Sequence, residues 1–342
     1  MLQTVKTLCA LPGVSGWEDE VRDYILERVM PLADRIETDP MGNLYVFKKG
    51  AVTPDEPVMV CAHMDEVGLI VTRPEESGHL RIGCVGGVDR RVLLGKRVFV
   101  GPDALPGVIG LKPKHLSTEE ERIGTVPALD ALSIDIGCES AEEAEKLVRP
   151  GSRAVFDPTI YEFGEGYLKA KALDDRVGCA AMLKLLEQEL PVDTWFVFTV
   201  QEEVGCRGAG VAAERLRPGI AVVLEGTTAA DIGGAEPGKE VCVLGKGVVV
   251  PFMDRGTIYD RGLWETVTAA ADRNAIPWQN KTRIAGGTDG SAIQRRGNGA
   301  RVVGLAVPLR SIHSPASVGR IGDLLQLPAL CGKLLEELAH GY

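Results

Sequence analysis

Residues 57–65 read Pro-Val-Met-Val-Cys-Ala-His-Met-Asp, a nearly unbroken apolar run that ends on His63 and Asp65. A short apolar run without polar alternation is the pattern of a strand covered on both faces, as in the parallel sheets of α/β proteins. The pattern recurs outward from it. Thr194 to Val200 (TWFVFTV) leads into Glu202 and Glu203, Ile220 to Leu224 leads into Glu225, and Arg301 to Val307 is a further strand-like run. Between these lie stretches at helical spacing: Arg176 to Leu190, Arg207 to Leu216, Leu263 to Asn274 and Leu324 to Ala339. Strands alternating with helices of ten or more residues predict a three-layer α/β/α fold. Nearer the start, Ser15-Gly16-Trp17-Glu18 has the S-x-x-E form of a capping box and predicts a helix from Trp17 to Met30. Strands are predicted at Ala33 to Glu37, Leu44 to Lys48 and Tyr167 to Lys171.

The segment 67–165 reads differently. It is dense in Gly, Pro and Val, with short β-like pieces and one helical stretch, Ser140 to Val148. Such composition predicts a small β-rich, barrel-like domain inserted into the α/β one, so that residues 1–66 and 166–342 form a discontinuous α/β domain. The 342 residues are 45% apolar and 25% charged, with formal net charge −10, the balance of a folded chain with no concentrated positive face. Nucleic acid is excluded as a partner on that ground. The basic stretch Arg90 to Arg97 reads as a solvated strand pair. All eight cysteines stand more than twenty residues apart, so thiolate zinc pairs are absent and a reducing, cytoplasmic setting is expected. No apolar run approaches the roughly 18 residues of a membrane span, and the N-terminal stretch has neither signal- nor transit-peptide character.

Five groups of polar residues stand where a strand ends or a helix begins: His63 with Asp65, Asp174 with Asp175, Glu202 with Glu203, Glu225, and His313. Singly, each has a plain structural reading: a surface histidine, helix-capping acids, a solvated acidic loop. Recurrence shifts the balance, because in open α/β sheets the carboxyl ends of the strands converge on one crevice. So many carboxylates there would repel one another unless cations neutralised them. Two divalent ions supply four positive charges, which three carboxylate ligands and one bridging hydroxide balance. Imidazole and carboxylate without thiolate suit zinc, cobalt or manganese in a hydrolytic centre. One carboxylate must then stay off the metals as general base. The Glu202-Glu203 pair can supply both a ligand and that base, since neighbouring side chains on extended backbone point to opposite sides.

With these residues in view the chain resembles the co-catalytic dimetal aminopeptidases, and among them the M42 family of tetrahedral or glutamyl aminopeptidases, some of whose members carry the label cellulase M. AHMDEVG, LDDRVG, QEEVG, LEGTT, GGTDG and IHSP match that family's motifs in order from residue 62 to residue 315. The resemblance implies that His63, Asp174 and Glu225 hold one metal and Asp174, Glu203 and His313 the other, with zinc or cobalt the first expectation and manganese next. It implies Glu202 as general base and Asp65 as the acid orienting His63. Many relatives have Asp where this chain has Glu225; Asp231, six residues on, is the weaker alternative ligand. The resemblance also implies short peptides as substrates and self-association through the inserted domain, from a dimer up to a dodecamer, with Asp174 lying 109 positions after Asp65, room enough to house that domain.

Two rival readings remain. An endoglucanase-type glycoside hydrolase would use an acid pair, yet aromatics for sugar stacking are only 5% of the chain and His63 and His313 would have no task. A non-catalytic scaffold of the same fold would have no need of the full set of acids. For substrate recognition the sequence offers Arg255, in the stretch Met253 to Arg261, either as receiver of an acidic side chain or as a structural partner of Asp254, Asp260 or Asp289. Gly287 and Asp289, in Gly286-Gly287-Thr288-Asp289, are expected to approach the substrate closely.

Overall fold

The computed structural model describes residues 1–119, 126–236 and 240–341; residues 120–125 of the predicted inserted segment lie outside them. An eleven-stranded sheet runs through the molecule. Its main path is Arg35–Thr38, Leu44–Lys48, Thr194–Thr199, Val58–His63, Ile220–Thr228, Arg301–Arg310, Ser317–Arg320, Tyr167–Ala170 and Tyr161–Phe163, with Val248–Val250 and Trp278–Asn280 branching from it. The four strands at its centre are mutually parallel.

Val58–His63 is buried along its whole length. Val58, Val60 and Ala62 face one core, with helices Leu173–Leu186 and Ile321–Ala339, whereas Met59 and Cys61 face a second core with helix Arg207–Leu216. Two covered faces explain why this strand shows no polar alternation. Helix Leu173–Leu186 lies hard against the sheet at Gly178, where a Cβ would come within 2.9 Å of the Ala62 Cβ and 2.4 Å of an Asp175 carboxylate oxygen. Any larger residue there would push the helix off the strands that carry the site.

Between Gly68 and Phe156 the chain leaves this sheet and closes a six-stranded barrel in the order Arg153–Phe156, Gly68–Pro74, Leu80–Val85, Leu132–Asp135, Leu105–Leu111, Arg97–Val100. The barrel has its own core, which includes Leu69, Leu80, Val98, Ile109 and Ile134. The three-layer architecture and the barrel both agree with the sequence expectation. Helix Ala141–Leu147 starts on Ser140, whose hydroxyl accepts the Glu143 N–H at 3.3 Å. No helix among the described residues is long and apolar enough to cross a membrane.

Several local expectations are corrected. Ser15 does not cap a helix: the second helix spans Asp19–Val29 and begins after Glu18, and the Ser15 hydroxyl donates instead to Asp65 Oδ2 at 2.6 Å. Long-range pairing with a buried carboxylate outcompetes the local cap. The Arg90 to Arg97 stretch is not a strand pair either. Asp89 caps a 3₁₀ turn at Arg90–Val92, and only Arg97 opens a strand. The run ending at Leu190 is helical only from Leu173 to Leu186, and Leu190–Val192 instead pairs with Gly50–Val52. The strand from Ile220 continues to Thr228, so Glu225 lies within it rather than beyond its end.

Candidate active site

Parallel register brings the first two groups together. Val223 pairs with Cys61, so two residues further on Glu225 comes level with His63, and both side chains stand on the same face. His63 Nε2 lies 3.2 Å from Glu225 Oε1 and 3.5 Å from Asp174 Oδ1. Asp174 is delivered from the entry of helix Leu173–Leu186, where it and Asp175 have non-helical torsions and are joined by a cis peptide bond. Its other oxygen, Oδ2, lies 3.6 Å from His313 Nε2, and His313 Nε2 lies 3.3 Å from Glu203 Oε2. Thus the two oxygens of one carboxylate face two imidazoles, each of which meets a second carboxylate.

The supports are equally specific. Asp65 is fully buried and accepts the backbone N–H of Glu202 at 2.9 Å and of Glu203 at 3.1 Å besides the Ser15 hydroxyl. Its carboxylate stands 3.4 Å from His63 Nδ1, but its own backbone carbonyl is nearer, at 3.1 Å. Asp65 therefore shapes the Glu202-Glu203 turn at least as much as it orients the imidazole. That pair is not extended backbone: Gln201 has φ +57° and the chain turns directly after Glu202. The barrel reaches the site as well. His313 Nδ1 lies 3.2 Å from the Gly87 carbonyl, and a Cβ on Gly86 would stand 3.2 Å from the Glu203 Cβ.

The electrostatics record crowding. Burial pushes the Glu203 carboxyl up to about 8, reinforced by Asp174 and opposed by His313. Burial likewise raises Glu225 well above the carboxylate range against the pull of His63. Burial opposes the charged form of His313, but hydrogen bonding to Asp174 and the charge of Glu203 win and raise it to about 9. Asp174 is driven below the usual range: burial opposes this, while the adjacent imidazoles of His313 and His63 prevail. Asp174 Oδ1 is nevertheless buried without a good hydrogen bond. Carboxyls forced toward protonation around an orphaned oxygen are what a site shows when the positive charge it is built around must come from elsewhere. Three groups among the described residues are spaced to hold metal, and two of them combine these imidazoles and carboxylates: His63 with Asp174 and Glu225, and Asp174 with Glu203 and His313. Imidazole and carboxylate donors fit a divalent ion.

These residues open on a cavity of about 350 Å³ whose wall also carries Glu202, Gly287 and Thr288. Burial raises the Glu202 carboxyl to about 7, with His63 opposing and Asp289 and Asp65 adding to it. A larger cleft of about 860 Å³ lies against helix Arg207–Leu216 and shares only Gly205 and Cys206 with this cavity. It contains none of the clustered imidazoles, so volume alone does not locate the chemistry.

The remaining sequence-predicted residues fall outside the cavity. Arg255 is exposed and off its wall, held through its backbone N–H to the Gly286 carbonyl. Asp289 is 1% exposed and lies behind the wall, its Oδ2 accepting the Thr199 hydroxyl at 2.5 Å. Asp231, the alternative to Glu225, is engaged by Arg310 at 2.7 and 2.8 Å away from the imidazoles. Three wall residues carried no sequence signal. Lys281 is the one lysine or arginine on the wall among the described residues; Tyr259 and Cys206 complete the set. The Tyr259 hydroxyl donates to Asp254 at 2.7 Å. Burial, then Asp289 and Glu202, push the Cys206 thiol up.

A mixed α/β domain carrying a closed barrel, with clustered acids and imidazoles at the ends of its parallel strands, defines the class of peptide hydrolases to which known proteins can be compared. The chain belongs to the M42 glutamyl aminopeptidase family, whose model matches residues 42–330. It is 32% identical to the lysyl aminopeptidase of Pyrococcus furiosus over 98% of this chain and 97% of that one. An aminopeptidase from the archaeon Desulfurococcus kamchatkensis superimposes with a TM-score of 0.93 at 36% identity, covering 98% of this chain and 94% of that one. The TET1 peptidase of Pyrococcus horikoshii, which can assemble into a tetrahedron or a large octahedral shell, superimposes with a TM-score of 0.86 at 36% identity, over 98% and 99%.

Proposed function

We propose that this chain is a dimetal aminopeptidase that removes N-terminal residues from short peptides. The observation that carries the reading is Asp174, whose two oxygens each face a different imidazole–carboxylate pair. His63, Asp174 and Glu225 would hold one divalent ion and Asp174, Glu203 and His313 the other, with Asp174 bridging. Zinc or cobalt suits this donor set best, and manganese next. When bound, the ions supply Lewis acidity, lowering the pKa of a water and polarising the scissile carbonyl.

Glu202 does the proton work. Its carboxyl is poised near neutrality, so it can take a proton from the attacking water and return it to the leaving amine. Asp65 holds the Glu202 and Glu203 N–H groups and so fixes both side chains relative to the imidazoles. Lys281 faces the cavity with its ammonium tied to the Ala285 carbonyl at 2.7 Å, which supports a preference for an acidic side chain at the substrate's N-terminal residue. The family's glutamyl description agrees with this, whereas the Pyrococcus furiosus relative is named for lysine.

The inserted 67–165 segment is assigned as the self-association domain of a homo-oligomer, supported by its separate barrel core and by the shells formed by the Pyrococcus horikoshii relative. Eight free thiols suit a cytoplasmic setting. The test is to measure bound metal and hydrolysis of aminoacyl-p-nitroanilides and of β-glucan before and after chelation. Chelation should remove about two ions and the aminoacyl activity together, and zinc or cobalt should restore it. Aminoacyl activity that survives complete metal removal would end the reading.

A further inference from the structure

A third donor cluster shares the cavity wall through Glu202 and Cys206. Glu202, Cys206 and Asp289 present three ligand atoms within 4.8 Å of one another. Cys206 Sγ lies 3.4 Å from Glu202 Oε1. In a tetrahedral zinc site, with Zn–S about 2.3 Å and Zn–O about 2.0 Å, a sulfur and an oxygen ligand stand about 3.5 Å apart, so the two atoms already span one edge of such a site. The third donor supplies an independent sign. Asp289 is 1% exposed, and while its Oδ2 is satisfied by Thr199, its Oδ1 is buried with no hydrogen-bond partner. A buried carboxylate oxygen left unpaired is costly unless something else binds it. Glu202 and Cys206 both line the open cavity, which gives an ion a path in from solvent.

We propose that Glu202, Cys206 and Asp289 form an inhibitory binding site for a thiophilic divalent cation, zinc above all, separate from the two ions of the catalytic reading. Binding releases the Cys206 thiol proton to solvent and leaves the thiolate on the ion. It also engages the Glu202 carboxylate, and the adjacent positive charge lowers its basicity, so it takes a proton from water far less readily. Excess zinc therefore inhibits the enzyme that limiting zinc activates. Manganese, a harder ion with little affinity for thiolate, does not inhibit at the same excess. The inhibition rests on the Glu202 assignment above; the existence of the site does not.

The experiment uses the full-length protein and its Cys206→Ser variant, loaded with zinc or with cobalt. The catalytic donor set contains no sulfur, so a thiolate-to-cobalt charge-transfer band in the near ultraviolet that Cys206→Ser lacks reports this site. Wild type is expected to show the band at excess cobalt and to bind one zinc equivalent more than Cys206→Ser, which lacks the band. Excess zinc is expected to lower wild-type kcat by about 10²-fold, as loss of a general base does, while the variant loses less than about twofold of its own activity. No thiolate band in cobalt-loaded wild type, or equal zinc binding by the two proteins, overturns the site. A band without inhibition leaves the site standing and removes Glu202 as base. Unchanged metal binding in His63→Ala would count against the dimetal reading and leave this comparison intact.

Discussion

Asp65 binds the backbone N–H of Glu202 at 2.9 Å, across 137 positions of sequence. One carboxylate gathers the Glu203 N–H and the Ser15 hydroxyl as well, so it joins the strand of His63, the turn of Glu202 and the segment before the second helix. Asp65→Asn would set an amide donor against one of these N–H groups. It is expected to lower metal affinity by about 10- to 100-fold, as loss of a ligand's support does, and to destabilise the fold by roughly 1–3 kcal/mol. Isothermal metal titration and urea denaturation measure the two effects. Wild-type values in both would mean that Asp65 is a bystander.

Glu202→Gln keeps the side-chain shape and removes the proton acceptor. Metal content should stay at the wild-type level while kcat falls by about 10²- to 10⁴-fold, with KM little changed. Turnover at the wild-type rate would exclude Glu202 from the chemistry.

Lys281→Met should selectively impair substrates with an N-terminal acidic residue. A charged hydrogen bond contributes about 1.5–3 kcal/mol, so kcat/KM for a glutamyl anilide should fall by about 10- to 150-fold and that for a leucyl anilide much less. Arg255→Ala, at an exposed position off the cavity, should leave both values near wild type. A glutamyl-specific loss in Arg255→Ala instead would move the specificity element to the position that sequence reasoning singled out.

Gly86 packs the barrel against the site. It has φ +79°, and a Cβ there would lie 2.8 Å from Val67 Cγ1 and 3.2 Å from the Glu203 Cβ. Gly86→Ala should cost about 1–2 kcal/mol of stability from the left-handed torsion alone and weaken the metal site that Glu203 is proposed to complete. If a competing chelator withdraws metal from both proteins at the same concentration, the barrel has no part in holding that site.

Glu18 carries a pH signature outside the metal ligands. Burial lifts its carboxyl from 4.5 to about 7, opposed by the Gly16 N–H and reinforced by Asp65. The folded state thus keeps a proton that the unfolded chain releases, and stability falls as pH rises from about 4.5 through about 7. Glu18→Gln keeps an oxygen to accept the Gly16 and Gln201 N–H groups, at 2.8 and 3.1 Å in the wild type, and removes the titration. Chemical denaturation at several pH values should give a flatter profile for the variant than for wild type. Parallel profiles would show that Glu18 titrates alike in both states.

Much of the layout was legible in the chain itself, because parallel strands buried on both faces must be written as continuous apolar runs. PVMVCA, WFVFTV and IAVVL therefore mark the centre of the sheet, and their common direction explains why the acids and imidazoles that follow them meet at one end. Local patterns misled where a distant partner was better. Ser15 left its helix for Asp65, and Asp289 turned inward to Thr199 instead of facing the cavity.

The apolar runs and the ordered motifs decide the layers, the family and which residue types collect at the strand ends, since burial acts on each run according to its own composition. The path of the connecting loops decides which of those residues touch. The Glu202 turn at φ +57° of Gln201, the approach of Gly86 and Gly87 to Glu203 and His313, and the entry of Lys281 and Cys206 into the cavity wall are such outcomes. Each depends on several segments packing at once, and no periodicity within one segment encodes a contact made across a hundred residues.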